Sequence, residues 1–452
     1  MPVLFGTDGI RGKANHYPMT PEIALKAGRA LVKTLLHEKK SAKRVLIGKD
    51  TRISGDMIEC AIAAGICSAG AEAHICGVLP TPGVAYLTVS ESMDAGVMIS
   101  ASHNPFADNG IKIFNSSGFK LSSVMENAIE QMIEASDQAP EKYESDTIGS
   151  VKSNPALEHA YMNFLIQAMP PGSPLKGLKV VLDCSNGATY RAAPYVFDTL
   201  GADVSTICSE PDGKNINEGC GSQDTTRLKA LVLKKGADVG LAFDGDGDRL
   251  IAVDESGRNV TGDQILAVCA KQLKLNGKLA NNRVVSTVMS NVGFHKAMEA
   301  LGIELVITDV GDRYVLEQMK AQGAIIGGED SGHMIFLDRH TSGDGILTGL
   351  RLIQVMLETG RSLSELTGIM KVYPQILMNV EINEKVDIYQ IPQIKEVISR
   401  IEEALGRQGR VLVRYSGTQP LCRVMVEGPD AEKTQQYCLE IINVIQAQIG
   451  IE

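Results

Sequence analysis

The chain has 452 residues, with 44 Lys+Arg against 54 Asp+Glu and a formal charge of −10. At about 100 to 200 residues per domain this length predicts about three or four domains with their own cores, and 44% hydrophobic with 22% charged residues excludes a disordered chain. An acidic sequence with no Trp, 4% aromatics and no Lys/Arg block is also unsuited to nucleic acid, so any phosphate must be bound locally.

The start, Met1 to Gly6, has no basic segment leading into a long apolar run, and the most membrane-like stretch, Ala61 to Ala71, is short and lies between Glu59 and Glu72. A cytoplasmic protein with no membrane partner is expected. Nine Cys, an odd number without a C-x-x-C pair, predict reduced and mostly buried thiols rather than a disulfide framework or a zinc site.

Along the chain, Phe5 to Gly12 combines Asp8 and Arg11 with three glycines, and Gly48 to Arg52 adds Lys49 and Arg52. The β-branched run Arg44 to Gly48 predicts a buried strand, followed by a stretch of helical character and by further strands at Gly70 to Ile75 and Ala95 to Ile99. The pattern recurs at Lys179 to Asp183, Gly201 to Val204 and Ala237 to Phe243. It recurs again at Arg283 to Val288, Gly302 to Val306 and Gly323 to Ile326. Strands alternating with helices predict three similar α/β modules with mixed, mainly parallel sheets. From about Val372 the layout changes to a strand over Gln375 to Val380, a helix ending near Leu405, a strand pair within Arg410 to Met425 and a closing helix from Asp430 to Ile449. This predicts a smaller α+β domain, with divisions at 1–153, 154–254, 255–368 and 369–452.

The three modules are alike in the loops that leave their third strands: Ser100-Ala101-Ser102-His103-Asn104-Pro105, Asp244-Gly245-Asp246-Gly247-Asp248-Arg249 and Gly327-Gly328-Glu329-Asp330-Ser331-Gly332-His333. One such loop alone would be an ordinary polar turn. Ligands of open α/β sheets gather beyond the carboxyl ends of strands, so three equivalent exits predict one shared cleft. Asp244, Asp246 and Asp248 alternate along an extended loop, which lets their oxygens converge on a hard cation such as Mg²⁺. An EF-hand is rejected, since Arg249 stands at the sixth position where glycine is needed and Leu250 to Val253 predicts a strand.

Ser102 has no G-x-S-x-G elbow and no acid beside it, which argues against an acyl-transfer triad and for a hydroxyl that exchanges a phosphoryl group near a metal. Composition does not separate it from Ser100. Asn109-Gly110-Ile111-Lys112 predicts a tight turn leading into a strand that fixes Lys112. Arg414-Tyr415-Ser416-Gly417-Thr418-Gln419-Pro420 predicts a phosphate cradle, with the Arg414 fork supported by hydroxyls and turn N–H groups and by added charge from Arg423, although Ser-Gly-Thr is also ordinary turn chemistry. A Walker A loop is absent.

The ordered set Thr7 to Gly12, Ser100 to Pro105, Asp244 to Arg249, Gly328 to His333 and Arg414 to Pro420 resembles the α-D-phosphohexomutase superfamily over essentially the whole chain. Further segments resemble its bacterial amino-sugar branch: Asp183 to Tyr190, Asn215 to Asn217, Cys220 to Ser222, Thr287 to Asn291 and Val310 to Val315. The resemblance implies four domains around a central cleft and a phosphorylated Ser102, with Mg²⁺ held by that group, Asp244, Asp246 and Asp248. Ser100 becomes a bystander. Glu329 and Ser331 would bind sugar hydroxyls, and Arg414, Ser416, Gly417 and Thr418 the phosphate that is not reacting. Arg11, Lys112, Arg249 and His333 match residues near the transfer, Lys112 and His333 being candidates for moving protons.

The implied reaction interconverts glucosamine 6-phosphate and glucosamine 1-phosphate through glucosamine 1,6-bisphosphate, supplying UDP-N-acetylglucosamine and cell-envelope precursors. Its partner is thus a phosphorylated amino sugar, and a homodimer is compatible with the sequence. The family pattern has Gln where this chain has Asp330 and Glu where it has Gln419. The same chemistry on glucose or mannose phosphates is the main alternative. A phosphosugar-binding protein without activity is a weaker one, because every polar group the reaction needs is in place.

Overall fold

The computed structural model describes residues 4–6, 8–38, 43–135, 147–172, 174–415 and 420–451. They form two compact units, one of Met1–Val288 with Val306–Thr367 and one of Met289–Leu305 with Gly368–Glu452.

The first unit contains three sheets. In the seven-stranded sheet Arg44–Lys49 lies parallel to both Glu72–Val78 and Ala95–Ile99, and Asp108–Asn115 and Gly9–Lys13 extend it antiparallel on the Ala95–Ile99 side. Val45, Leu46 and Ile47 are wholly buried, which is why this strand reads as a continuous apolar run instead of alternating. Most of the stretch Ala61 to Ala71 belongs to the helix Gly55–Ser68, whose Ile58, Ile62 and Ile66 face the sheet core at helical spacing. Among the described residues no helix is long and apolar enough to cross a membrane.

The five-stranded sheet repeats the arrangement, with Lys179–Asp183 parallel to Asp203–Ile207 and Val239–Phe243 and with Leu250–Asp254 antiparallel to the latter. In the four-stranded sheet Arg283–Thr287 runs parallel to Ile326–Gly328, which pairs antiparallel with Met334–Phe336. The third strand of this module therefore starts at Ile326 rather than Gly323. Gly323 instead ends the helix Asp312–Gln322 in the left-handed conformation, with φ +63.

The second unit carries a three-stranded antiparallel sheet in the order Gln375–Glu381, Leu421–Glu427, Arg410–Tyr415. The helices Pro392–Leu405 and Ala431–Ile449 cover it with Ile394, Val397, Ile398, Ile401 and Leu405 from one and Cys438, Ile441 and Ile445 from the other. Asp430 caps the last helix by accepting the Lys433 N–H at 3.0 Å.

Candidate active site

In the first unit the loops that leave the parallel strands supply a cluster of buried polar groups. Ser102, 1% exposed, lies three residues past Ala95–Ile99 with φ +53, a left-handed conformation that costs a non-glycine residue of order 1 kcal/mol. Its backbone and hydroxyl are held by hydrogen bonds. Its N–H donates to Ser100 Oγ at 2.9 Å, its carbonyl accepts from Arg52 Nη2 at 3.0 Å and Asn217 Nδ2 at 2.9 Å, and its hydroxyl donates to Asp244 Oδ2 at 2.6 Å. Ser100 thus orients the backbone of Ser102, and its own hydroxyl donates to Asp50.

Asp244, Asp246 and Asp248 are 0%, 0% and 4% exposed, and oxygens from all three lie within 4.8 Å of one another. Asp246 Oδ1 and Asp248 Oδ1 are buried without a hydrogen-bond partner. Burial and the two neighbouring carboxylates push the Asp244 carboxyl well up. Burial also acts against the charge on Asp248, but Lys112 and His333 outweigh it and hold that group well below the usual range. Three carboxylates whose oxygens converge, two of them keeping an oxygen without a hydrogen bond, suit a divalent cation.

Lys112 is 1% exposed and reaches Asp246 at 2.7 Å, Asp8 at 3.3 Å and Asp248 at 3.4 Å. Burial alone would lower it, yet the three carboxylates raise it, so it stays protonated. The predicted turn before it is absent, because Asn109 and Gly110 lie within the strand Asp108–Asn115. Gly110 is there for close approach, since a Cβ would stand 2.6 Å from the Ser100 carbonyl oxygen.

Arg249 donates its N–H to Asp244 Oδ1 at 3.2 Å and lies 3.0 Å through Nη1 from His103 Nδ1, which leaves that imidazole nitrogen as an acceptor. Burial, Arg249 and Arg11 depress His103 to about 4, so it is neutral near pH 7. His333 lies 3.6 Å from Asp248 and 3.7 Å from Asp312, and these carboxylates raise it against the effect of burial. Arg11 pairs with Asp8, and Asp8 pairs with Lys120, which in turn pairs with Asp312.

Of the residues expected to bind sugar hydroxyls, Glu329 accepts the Gly311 N–H at 3.1 Å and Ser331 is exposed. Asp330 accepts the Asp263 N–H at 3.2 Å in the first turn of the helix Gly262–Leu275, so its carboxylate stabilises a helix start. In the second unit Arg414 and Arg423 stand opposite each other across the antiparallel pair. Ser416, Gly417, Thr418 and Gln419 lie outside the described residues.

The sequence assigned no role to Asp8, Asp50, Thr81, Lys120, Asn217 or Asp312. Thr81 donates to Asp246 Oδ2 at 2.6 Å, and Arg52 pairs with Asp50 at 3.1 Å with neither side chain exposed. Asp8 and Arg52 stood in segments already marked by charge. Thr81 and Lys120 gave no local signal, because their partners are 165 and 112 residues away.

Comparison with known proteins covers the chain end to end. It matches Phosphoglucomutase/phosphomannomutase alpha/beta/alpha domain I over residues 2–140, domain II over 159–257, domain III over 261–373 and the C-terminal domain over 377–444. It is 54% identical over 447 residues to a phosphoglucosamine mutase of Syntrophus aciditrophicus, covering 99% of each chain. A crystal structure of a phosphoglucomutase/phosphomannomutase family protein from Burkholderia thailandensis aligns with TM-score 0.81 at 21% identity over 99% of each chain. The Aspergillus fumigatus N-acetylphosphoglucosamine mutase, solved in complex with GlcNAc-6P and magnesium, aligns with TM-score 0.70 at 17% identity over 98% of this chain and 95% of that one.

Proposed function

The chain belongs to the phosphoglucomutase/phosphomannomutase family and is an isomerase of the α-D-phosphohexomutase superfamily; from that premise we propose that it interconverts glucosamine 6-phosphate and glucosamine 1-phosphate through a phosphorylated Ser102. The observation that carries the reading is the Ser102 hydroxyl bonded at 2.6 Å to one of three buried carboxylates, two of which keep an oxygen without a hydrogen bond. Three carboxylates this close are unfavourable unless positive charge offsets them, and a cation would add to what Lys112, Arg249 and His333 supply. Asp244, Asp246 and Asp248, with an oxygen of the phosphorylated serine, would hold Mg²⁺, which neutralises charge on a transferring phosphoryl group.

The residues of the chain then divide the remaining work. The phosphoryl group passes from Ser102 to a sugar hydroxyl, giving glucosamine 1,6-bisphosphate, and Ser102 regains a phosphoryl group from the other end of the sugar. The protonated Lys112, with Arg249 and Arg11, offers fixed positive charge to the phosphoryl oxygens. His333, between Asp248 and Asp312, is the residue proposed to carry the proton of the attacking hydroxyl. Glu329 and Ser331 would bind sugar hydroxyls. Arg414, Arg423, Ser416, Gly417 and Thr418 would hold the phosphate that is not reacting.

The test is turnover of the 6-phosphates of glucosamine, glucose and mannose by the purified protein, with intact mass measured before and after phosphatase treatment. Preference for glucosamine 6-phosphate, a phosphatase-sensitive mass increment of one phosphoryl group and loss of both in Ser102→Ala are expected. Equal or better use of mannose 6-phosphate would overturn the substrate assignment, and a fully active Ser102→Ala variant would overturn the mechanism.

A further inference from the structure

Outside this site a second group of reactive side chains lies at the end of the five-stranded sheet. Cys208 directly follows the strand Asp203–Ile207 with φ +49, and Cys220 precedes the short turn Gly221–Gln223. The two sulfurs and one Asp183 oxygen lie within 4.8 Å of one another, and all nine cysteines are free thiols. We propose that Cys208 and Cys220 form a reversible disulfide, made by hydroperoxide and broken by a dithiol, that acts on the segment holding the Ser102 loop.

The two thiols are unequal in the way such a switch requires. Cys208 is partly exposed and accepts a hydrogen bond from Arg227 Nη1 at 3.8 Å, whereas Cys220 is 1% exposed. A hydrogen bond from Cys220 and the Arg227 guanidinium favour the Cys208 thiolate, while that same bond and burial hold Cys220 protonated. Cys208 is therefore the attacking sulfur and Cys220 the resolving one. A metal ion fits less well. Asp183 already accepts N–H groups from Ser185 and Gly221, both at 2.9 Å, and a dication here would have three protein donors and a guanidinium beside it.

The chemistry balances with a hydroperoxide as oxidant. The Cys208 thiolate attacks the peroxide oxygen, the O–O bond breaks and the departing oxygen takes a proton, leaving a sulfenic acid. The Cys220 sulfur then attacks the Cys208 sulfur, the S–S bond forms as the S–O bond breaks, and water leaves with the thiol proton. Two thiols lose two electrons and the peroxide gains them. A dithiol reverses the bond by exchange.

The segment between the two cysteines gives this bond a consequence. Within it Asn217 donates its N–H to the Ser185 carbonyl at 2.8 Å, and its side chain donates to the carbonyls of Ser102 and Asn104 at 2.9 and 3.0 Å. At its start the Cys208 carbonyl accepts the Asn186 N–H. An S–S bond is about 2.0 Å long, so oxidation draws the ends of this segment together and displaces the side chain that fixes Ser102.

The experiment treats the full-length protein with hydrogen peroxide, alkylates the remaining thiols and maps disulfides by peptide mass. The Cys208–Cys220 bond is expected before any other cysteine is modified. Mutase turnover should fall about tenfold and return with dithiothreitol, since misplacing a reacting group by about an ångström costs up to about a hundredfold. Cys208→Ser and Cys220→Ser should keep basal turnover and lose the response. The mass map tests the bond, while only the effect on turnover rests on the proposed mutase reaction, so the two fail separately. Absence of that bond in the oxidised protein, an equal loss of turnover in Cys208→Ser, or release of stoichiometric zinc on alkylation would each overturn the proposal.

Discussion

Two buried polar clusters bond to Ser102, one around Asp50 and Arg52 and one of three carboxylates, and they are built to opposite rules. Asp50 accepts the Arg52 N–H at 2.9 Å, the Arg52 guanidinium at 3.1 Å and the Ser100 hydroxyl at 2.5 Å, while the rest of the Arg52 fork serves the carbonyls of Ser102, Asn104 and Asp108. Every polar atom there has work within the protein. The Asp244–Asp248 loop instead gathers three carboxylates and leaves two oxygens without a hydrogen bond. A closed polar network fixes a shape, whereas one that gathers three carboxylates and leaves two oxygens without a hydrogen bond suits the binding of a cation. Ser102 takes its backbone position from the first, and its hydroxyl donates to the second.

The largest expected effect breaks the closed cluster. Arg52→Ala strands Asp50 as an unpaired buried charge and should cost about 3 to 5 kcal/mol in urea unfolding, with Arg52→Lys recovering little because one ammonium cannot replace the fork. Breaking the open cluster should leave the fold intact. Asp244→Asn is expected to lower turnover at least about a hundredfold, several kcal/mol of charge stabilisation being lost, while the melting temperature without divalent cation holds or rises. A marked fall in that melting temperature would show that the triad is structural after all.

Smaller changes sharpen the contrast. Ser100→Ala removes the acceptor for the Ser102 N–H and the donor to Asp50, and should cost about 1 to 3 kcal/mol of stability together with part of kcat but little of KM. His340 is another closed group, its Nε2 bonded at 3.0 Å to the Pro82 carbonyl and its Nδ1 accepting the Ser342 N–H at 3.2 Å. Burial lowers it from 6.5 to about 4, so the unfolded chain takes up its proton first. The stability it contributes is present above pH 6.5 and lost as pH falls towards about 4, with a slope of at most about 1.4 kcal/mol per pH unit. His340→Gln should flatten that slope in pH-dependent unfolding.

The open cluster was far more legible in the sequence than the closed one. Asp244, Asp246 and Asp248 are adjacent in the chain, so spacing alone brings their oxygens together. Asp50 and Ser100 are fifty residues apart and meet only because Arg44–Lys49 and Ala95–Ile99 are neighbouring parallel strands. Strand runs such as Val45 to Ile47 were evident because full burial demands unbroken apolar character. The strand at Ile326 was misplaced because Gly323 and Ala324 resemble a strand entry but end a helix. Asp330 carried no local sign of its helix, whose first turn is 67 residues away.

Lys112 lies in the first sheet, but two of its three carboxylate partners come 134 and 136 residues later in the chain. When that sheet leaves the ribosome the ammonium has only Asp8 to answer it, and a buried lysine without counter-charge is costly. Translation order therefore means that the counter-charge of Lys112 is complete only once Asp246 and Asp248 have been made. A nascent chain truncated before Asp246 should accordingly remain sensitive to protease around Lys112, and one extended past Asp248 should not.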